Sequence, residues 1–361
     1  MSSIPLLLVG SVPLHDAEAV FSSAALLLNG SLDRYPDGET GARSNWIAWQ
    51  RAVFEAVPAL TRMAERERVY QLFPPFTLRD EARPEDVCFG KLGFAREALD
   101  SYKVFRAKKA AGDIKPEARF QVALPTAWAP VYSFIAHRWQ NAIHRQYETA
   151  LLAELGEITA GIPADELCIQ WDVATEMSWW EAVYPAPFEH AKRENTERDV
   201  IASVARLLDA VPETVELGVH LCYGSMNNKH WKEPVDTANL VAVANGLAAA
   251  VSRRIDYLHL PVPIQRDDAS YFAPLANLNP RACTQLYLGL LHGEDGVEGA
   301  LRRMHSARGF SRNFGIACEC GLGRHASDAV NGLLSLHMEV AHAAGPDWRL
   351  KLRRQPLNSW Q

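Results

Sequence analysis

Short runs of β-branched and aliphatic residues recur along the chain, and each is followed by a longer stretch whose apolar positions fall three and four apart. The runs are Pro5 to Val9, Arg68 to Phe73, Arg119 to Leu124, Leu167 to Trp171, Thr214 to Leu221, Ile255 to Leu260, Gln285 to Leu291 and Phe314 to Ala317. Strand-length runs alternating with helical periodicity are the mark of βα units and a parallel sheet. Eight such units close a (β/α)8 TIM barrel, and that α/β fold is the expectation here. The helical pattern is clearest over Trp139 to Ala160, Thr196 to Leu208, Thr237 to Ser252, Val297 to Arg308 and Ala326 to Ala343.

Two stretches break the alternation. Pro74 to Asp100 is dense in Pro, Arg, Asp and Glu without a period, and Val173 to Asn195 carries Glu176, Trp179, Trp180 and Glu181. Both are expected as excursions near the barrel mouth, the second as a segment capping a substrate. A basic tail, residues 349–361, is expected to be mobile. No repeat and no Gly-, Ser- or Pro-rich linker divides the chain, so its 361 residues read as one barrel domain.

Composition narrows the class. Hydrophobic residues are 48%, charged residues 22% and the formal net charge is -6, which excludes disorder and the basic balance of a nucleic-acid binder. The apolar start, Ile4 to Gly10, is short and lacks a basic leader, and no apolar run approaches the ~18 to 20 residues of a membrane span. A cytoplasmic protein without a membrane partner is expected. Six cysteines, 88, 168, 222, 283, 318 and 320, then read as thiols or metal ligands sooner than as a disulfide framework. No G-x-x-x-x-G-K-[ST], G-x-G-x-x-G, G-x-S-x-G or H-E-x-x-H motif occurs, so nucleotide, serine-hydrolase and zincin readings lose support.

In such barrels the functional residues gather at the carboxyl ends of the strands. Reading the residue after each run yields Ser11, Asp172, His220 with Cys222, His259, His292, and Cys318 with Cys320. His220-Leu221-Cys222 and Cys318-Glu319-Cys320-Gly321 carry imidazole and sulfur at two strand ends, a donor set suited to one zinc ion. Asp172 ends an apolar strand, where an unpaired carboxylate is costly, so a partner or ligand is expected. His292, ahead of Gly293-Glu294-Asp295, is a candidate catalytic proton donor, with a solvent-facing loop histidine as the alternative. Trp128, after Pro125-Thr126, is a candidate aromatic wall for substrate. His230, His305, His325, His337 and His342 have no partners nearby in sequence and read as structural or surface residues.

Four segments carry a family resemblance. Val9-Gly10-Ser11-Val12-Pro13, Ile169-Gln170-Trp171-Asp172, His220-Leu221-Cys222-Tyr223 and Cys320-Gly321-Leu322-Gly323-Arg324 occur in the order seen in the carboxyl-terminal barrel of cobalamin-independent methionine synthase. Asp37-Gly38-Glu39 with Arg43 resembles that family's acidic loop. The chain therefore resembles a divergent, single-barrel member of the superfamily that also includes uroporphyrinogen decarboxylase. The resemblance implies zinc as cofactor, held by His220, Cys222 and Cys320, with Ser11, Glu39 and Asp172 around the polar end of a small substrate. It implies a zinc-dependent methyl or alkyl transferase, a thiolate attacking an alkyl donor. The partners would be a small-molecule thiol acceptor and a methyl or alkyl donor such as a folate or a methylated corrinoid protein.

Two departures stand out. Pro261 occupies the place of the family's carboxylate ligand; His259, on the same side of its strand by period-two alternation, is the candidate replacement, and the alternative is a zinc with three protein ligands and one exchangeable site. Val173 replaces an acidic residue after Asp172. Two alternatives remain at this level: a metal-free, decarboxylase-like lyase centred on Asp172, and a barrel that binds a thiol or folate without turnover.

Overall fold

The computed structural model describes residues 4–68, 71, 73–188, 192–224, 229–279 and 281–345. The basic tail at 349–361 and residues 189–191 of the segment 173–195 lie outside them. Among the described residues there are ten strands: β1 (Leu6–Leu7), β2 (Arg34–Pro36), β3 (Leu60–Arg62), β4 (Phe76–Leu78), β5 (Arg119–Pro125), β6 (Leu167–Val173), β7 (Glu216–Leu221), β8 (Tyr257–Pro261), β9 (Gln285–Leu291) and β10 (Phe314–Cys318). Eight of them form one parallel sheet in the order β2, β5, β6, β7, β8, β9, β10, β1. A parallel bridge between Leu6 and Leu32 brings the two ends of that sheet together, and helices surround it. The chain is a (β/α)8 TIM barrel.

One expected strand is wrong. The second barrel strand is Arg34–Pro36, not Arg68 to Phe73. Residues 69, 70 and 72 of the latter lie outside the described residues, and Gln71 N donates to Arg68 O across a turn. β2 escapes a search for aliphatic runs because it opens on a charge and closes on proline. Inside the barrel that charge is satisfied: Arg34 pairs with Glu216, donates to the Tyr287 hydroxyl at 2.9 Å, and lies 4.6 Å from the Tyr257 ring centroid. The excursion is also displaced. Between β2 and β5 the chain makes an antiparallel hairpin, β3 with β4, while Phe94 already starts the helix Phe94–Ala111.

The first strand is shorter than its apolar run because the barrel interior captures its carbonyls. Gln121 Nε2 donates to Leu8 O and Val9 O at 3.0 Å each, and Gln170 Nε2 donates to Val9 O at 2.6 Å. In the same layer Gln170, Gly218 and Tyr257 are neighbours across β6, β7 and β8. A Cβ on Gly218 would lie 2.0 Å from the Tyr257 ring, so glycine is what admits the tyrosine to the barrel axis. Its hydroxyl donates to Gln170 Oε1 at 2.8 Å. Polar groups thus rise along the inner faces toward the carboxyl ends of the strands, where Asp172, His220 and His259 stand side by side in the ladder. Among the described residues no helix is long and apolar enough to cross a membrane.

Candidate metal centre

His220, Cys222 and Cys320 meet at the carboxyl end of the barrel. Their ligand atoms all lie within 4.8 Å of one another. Cys222 Sγ is 3.7 Å from Cys320 Sγ, too far for a disulfide, and Cys320 Sγ is 3.6 Å from His220 Nε2. Zinc bonds of about 2.3 Å to sulfur and about 2.0 Å to nitrogen, opened to a tetrahedral angle, separate two sulfurs by about 3.8 Å and sulfur from nitrogen by about 3.5 Å. Two of the three spacings and the donor set therefore fit zinc.

Local sequence explains how the sulfurs come together. Cys222 follows β7 directly, and its backbone N–H still bonds to Val173 O at 3.0 Å, which holds the turn against β6. Cys320 lies in the segment after β10 that crosses over β1. Leu322 N donates to Ser11 O at 2.6 Å, and a Cβ on Gly321 or Gly323 would stand 2.4 or 2.8 Å from Ser11 Oγ. The two glycines of Cys320-Gly321-Leu322-Gly323 are what allow that approach.

Charge is concentrated around the cluster. The hydrogen bond shared by the two thiols holds Cys320 well below the usual thiol range, with His220 adding to the effect, and pushes Cys222 up. Burial opposes protonation of His220, but the Cys320 sulfur and the Asp172 carboxylate outweigh it and raise its pKa. Burial pushes Asp172 up to about 6, although His220 and a 2.8 Å hydrogen bond from Gln170 favour its charged form. Glu39 is pushed up to about 8 by burial and then by Asp172, partly countered by Arg43. Asp37 shapes that loop: it accepts from Glu39 N at 2.9 Å and from both terminal nitrogens of Arg43, the shorter contact being 2.8 Å.

A cavity of about 490 Å³ opens above the cluster. Ser11, Glu39, Asp172, His220, Cys222 and Cys320 all line it, so most of the candidate residues share one cavity. Three do not. His259 stands behind His220, with its Nδ1 2.7 Å from His220 Nδ1 and its Nε2 3.1 Å from Cys318 O, so both ring nitrogens are engaged away from the sulfurs. Trp128 is buried beneath the aromatic segment, stacked on His144 at 3.7 Å between centroids and donating to Ser203 Oγ at 2.9 Å. It packs the helices and does not reach the cavity. His292 lines an adjoining cavity of about 540 Å³, donates from Nε2 to Val262 O at 2.8 Å, and is pushed down to about 4 by burial and Arg303. At neutral pH its single ring proton is committed to that carbonyl.

Several wall residues carried no distinguishing signal in the sequence. His230 lines both cavities and pairs with Glu319 at 3.2 Å and Glu233 at 3.1 Å. The hairpin loop between β3 and β4 contributes Arg66 and Gln71, and the segment after β6 contributes Thr175, Ser178 and Tyr184. That segment is anchored through Glu181, which accepts from Tyr223, Lys232 and Asn239 at 2.8 Å each. Gln170 had a readable signal, since it lies two residues before Asp172 and faces the same side of β6.

The fold and the cluster define a (β/α)8 barrel with a His-Cys-Cys group at its functional end. No protein-family model matches the chain, and no curated protein does. Among solved structures it is similar to a B12-independent methionine synthase from Shewanella sp. W3-18-1 in complex with selenomethionine, with TM-score 0.59 and 15% identity over 95% of this chain and 98% of that one. A methyltransferase from Methanosarcina mazei aligns with TM-score 0.49 and 12% identity over 94% of each chain. The methionine synthase comparison shows a shared barrel fold along nearly the whole length of both chains.

Proposed function

We propose that this protein is a zinc-dependent methyl or alkyl transferase that activates a small thiol at His220, Cys222 and Cys320 and passes an alkyl group to it. The observation that carries the reading is the cluster itself, two unbonded sulfurs 3.7 Å apart with an imidazole nitrogen 3.6 Å from one of them, in the wall of a cavity. The fold shared with a methionine synthase supports it. Zinc held by these three residues would supply an ionised acceptor sulfur at neutral pH, where a free thiol is mostly protonated.

The chain's own groups prepare the substrate. Glu39 and Asp172, which line the cavity together with Ser11, suit an ammonium or other polar head on the acceptor, because each raised carboxyl gains a counter-charge when a cation binds beside it. Trp46, Tyr184 and Trp231, together with Arg66 and Lys229, provide aromatic faces and positive charge for a planar or anionic donor such as a folate. In the transfer, a bond forms from the acceptor sulfur to the alkyl carbon as the carbon's bond to the donor breaks and leaves its electron pair there. The proton of the acceptor thiol is released to solvent on binding.

Metal content of the purified protein tests this directly. About one zinc per chain is expected in the wild type, and loss of that metal in both Cys222→Ser and Cys320→Ser. A zinc-loaded wild type should then alkylate small thiols from methyl or epoxide donors, and both variants should be inactive. Wild-type protein that takes up no metal when zinc is supplied would overturn the reading.

A further inference from the structure

We infer that His259 is a positioning residue for the candidate metal centre: it accepts the Nδ1 proton of His220 and so reserves Nε2, the nitrogen 3.6 Å from Cys320 Sγ, for metal. The consequence for metal rests on the reading above, whereas the tautomer is a property of the metal-free chain.

The argument starts from a carbonyl. His259 Nε2 lies 3.1 Å from Cys318 O, which can only accept, so that nitrogen carries a hydrogen. The His259 ring has no exposed surface and stands against a second imidazole, conditions under which a second proton is disfavoured. Its Nδ1 is therefore a bare acceptor. The 2.7 Å contact between the two Nδ1 atoms then requires the hydrogen to sit on His220. With its hydrogen kept on Nδ1, His220 has Nε2, the atom 3.6 Å from Cys320 Sγ, as the nitrogen that can offer a lone pair to a metal. Nitrogen-bound metals take such a lone pair, and the hydrogen bond on the other ring nitrogen orients the ring and raises its basicity.

The backbone is arranged for this chain of contacts. His220 and His259 are direct neighbours in the β7–β8 ladder, so their rings share one side of the sheet at one height. The β9–β10 register shifts between Ile316 and Cys318, at the residue whose carbonyl meets His259. Gly289 on β9 permits the path of the next residues: a Cβ there would lie 2.7 Å from Glu319 Cα and 3.0 Å from Cys318 O. The end of β10 and the residues just after it thus carry the carbonyl that sets the tautomer and, two residues later, the Cys320 sulfur. Pro261, two residues beyond His259 and on the same side of β8, has no side-chain donor, so β8 acts on the cluster through His220.

Selective ¹⁵N labelling of histidine in the metal-free wild type, with two-bond proton–nitrogen correlations assigned by the His220→Asn and His259→Asn variants, reads the tautomers at neutral pH. His220 is expected to carry its proton on Nδ1 and His259 on Nε2. A bare Nδ1 on His220 would overturn the inference. Zinc affinity by chelator competition is the second readout: His259→Leu should bind about 10- to 100-fold more weakly than wild type, whereas His259→Asn, whose Oδ1 can accept the same proton, should recover most of the loss. Equal weakening in both variants, or none in His259→Leu, would reduce His259 to a packing residue. If the wild type binds no zinc, the metal reading fails on its own account and the nitrogen spectrum still decides the tautomer.

Discussion

Glu176, the second residue of the helix Thr175–Trp180, has no exposed surface. Burial pushes its carboxyl up to about 7, against the Thr126 hydroxyl and its own backbone N–H, which favour the charged form. A carboxyl raised in the folded state binds more protons folded than unfolded. Its contribution to stability is full below the unfolded value of 4.5 and is lost as pH rises through about 7. Glu176→Gln cannot ionise, so its melting temperature relative to wild type should rise between about pH 5 and about pH 8. Thermal melts of both proteins at the two pH values check this, and a constant difference would mean that Glu176 does not titrate in that window. Single residues also show what a sequence conveys of a site. His220, Cys222 and Cys320 were readable because their donor atoms fall at strand ends, where barrels place chemistry. Trp128 satisfied the same positional rule and failed it sterically, since its indole turns into the helix layer against His144. His230 was read as partnerless although Glu233 pairs with it from three residues on, and its other counterpart, Glu319, is brought to it only by closure of the barrel.

At the scale of elements, the glycines decide which side chains enter the barrel. Gly218→Ala would drive a methyl group into the Tyr257 ring, which cannot retreat easily because it is buried and its hydroxyl is bonded to Gln170. Overpacking of this kind costs roughly 1–3 kcal/mol, to be read as a lower midpoint in urea unfolding. Gly156 makes the opposite case. It is exposed in the helix His137–Gly161, and a Cβ there meets nothing within 4 Å, so Gly156→Ala should stabilise by about 0.5–1 kcal/mol. An unchanged midpoint for Gly218→Ala would show that the Tyr257 layer is looser than these contacts imply. Seven of the eight barrel strands were legible as aliphatic runs because they are sandwiched between the core and the helix layer. β2 was not, because three residues beginning with Arg34 are too few to show a period and its charge is neutralised by Glu216, on a strand remote in sequence.

At the scale of the molecule, the cluster joins parts of the barrel that lie far apart in sequence. Cys222 follows β7 and Cys320 follows β10, 98 residues later, with β8 and β9 between them in the sheet. A metal bound by both sulfurs and His220 can be held only when the barrel is closed, since the unfolded chain does not bring these donors together. Binding to the folded state alone adds stability that grows with the logarithm of metal concentration, about 2.7 kcal/mol at a hundredfold excess over Kd. Zinc should therefore raise the melting temperature of the metal-stripped wild type progressively, and leave Cys320→Ser unmoved at the same concentrations. Calorimetric scans over a zinc series distinguish the outcomes. Equal stabilisation of both proteins would place the metal elsewhere on the chain, whereas a shift confined to the wild type would tie closure of the barrel to metal binding at Cys320.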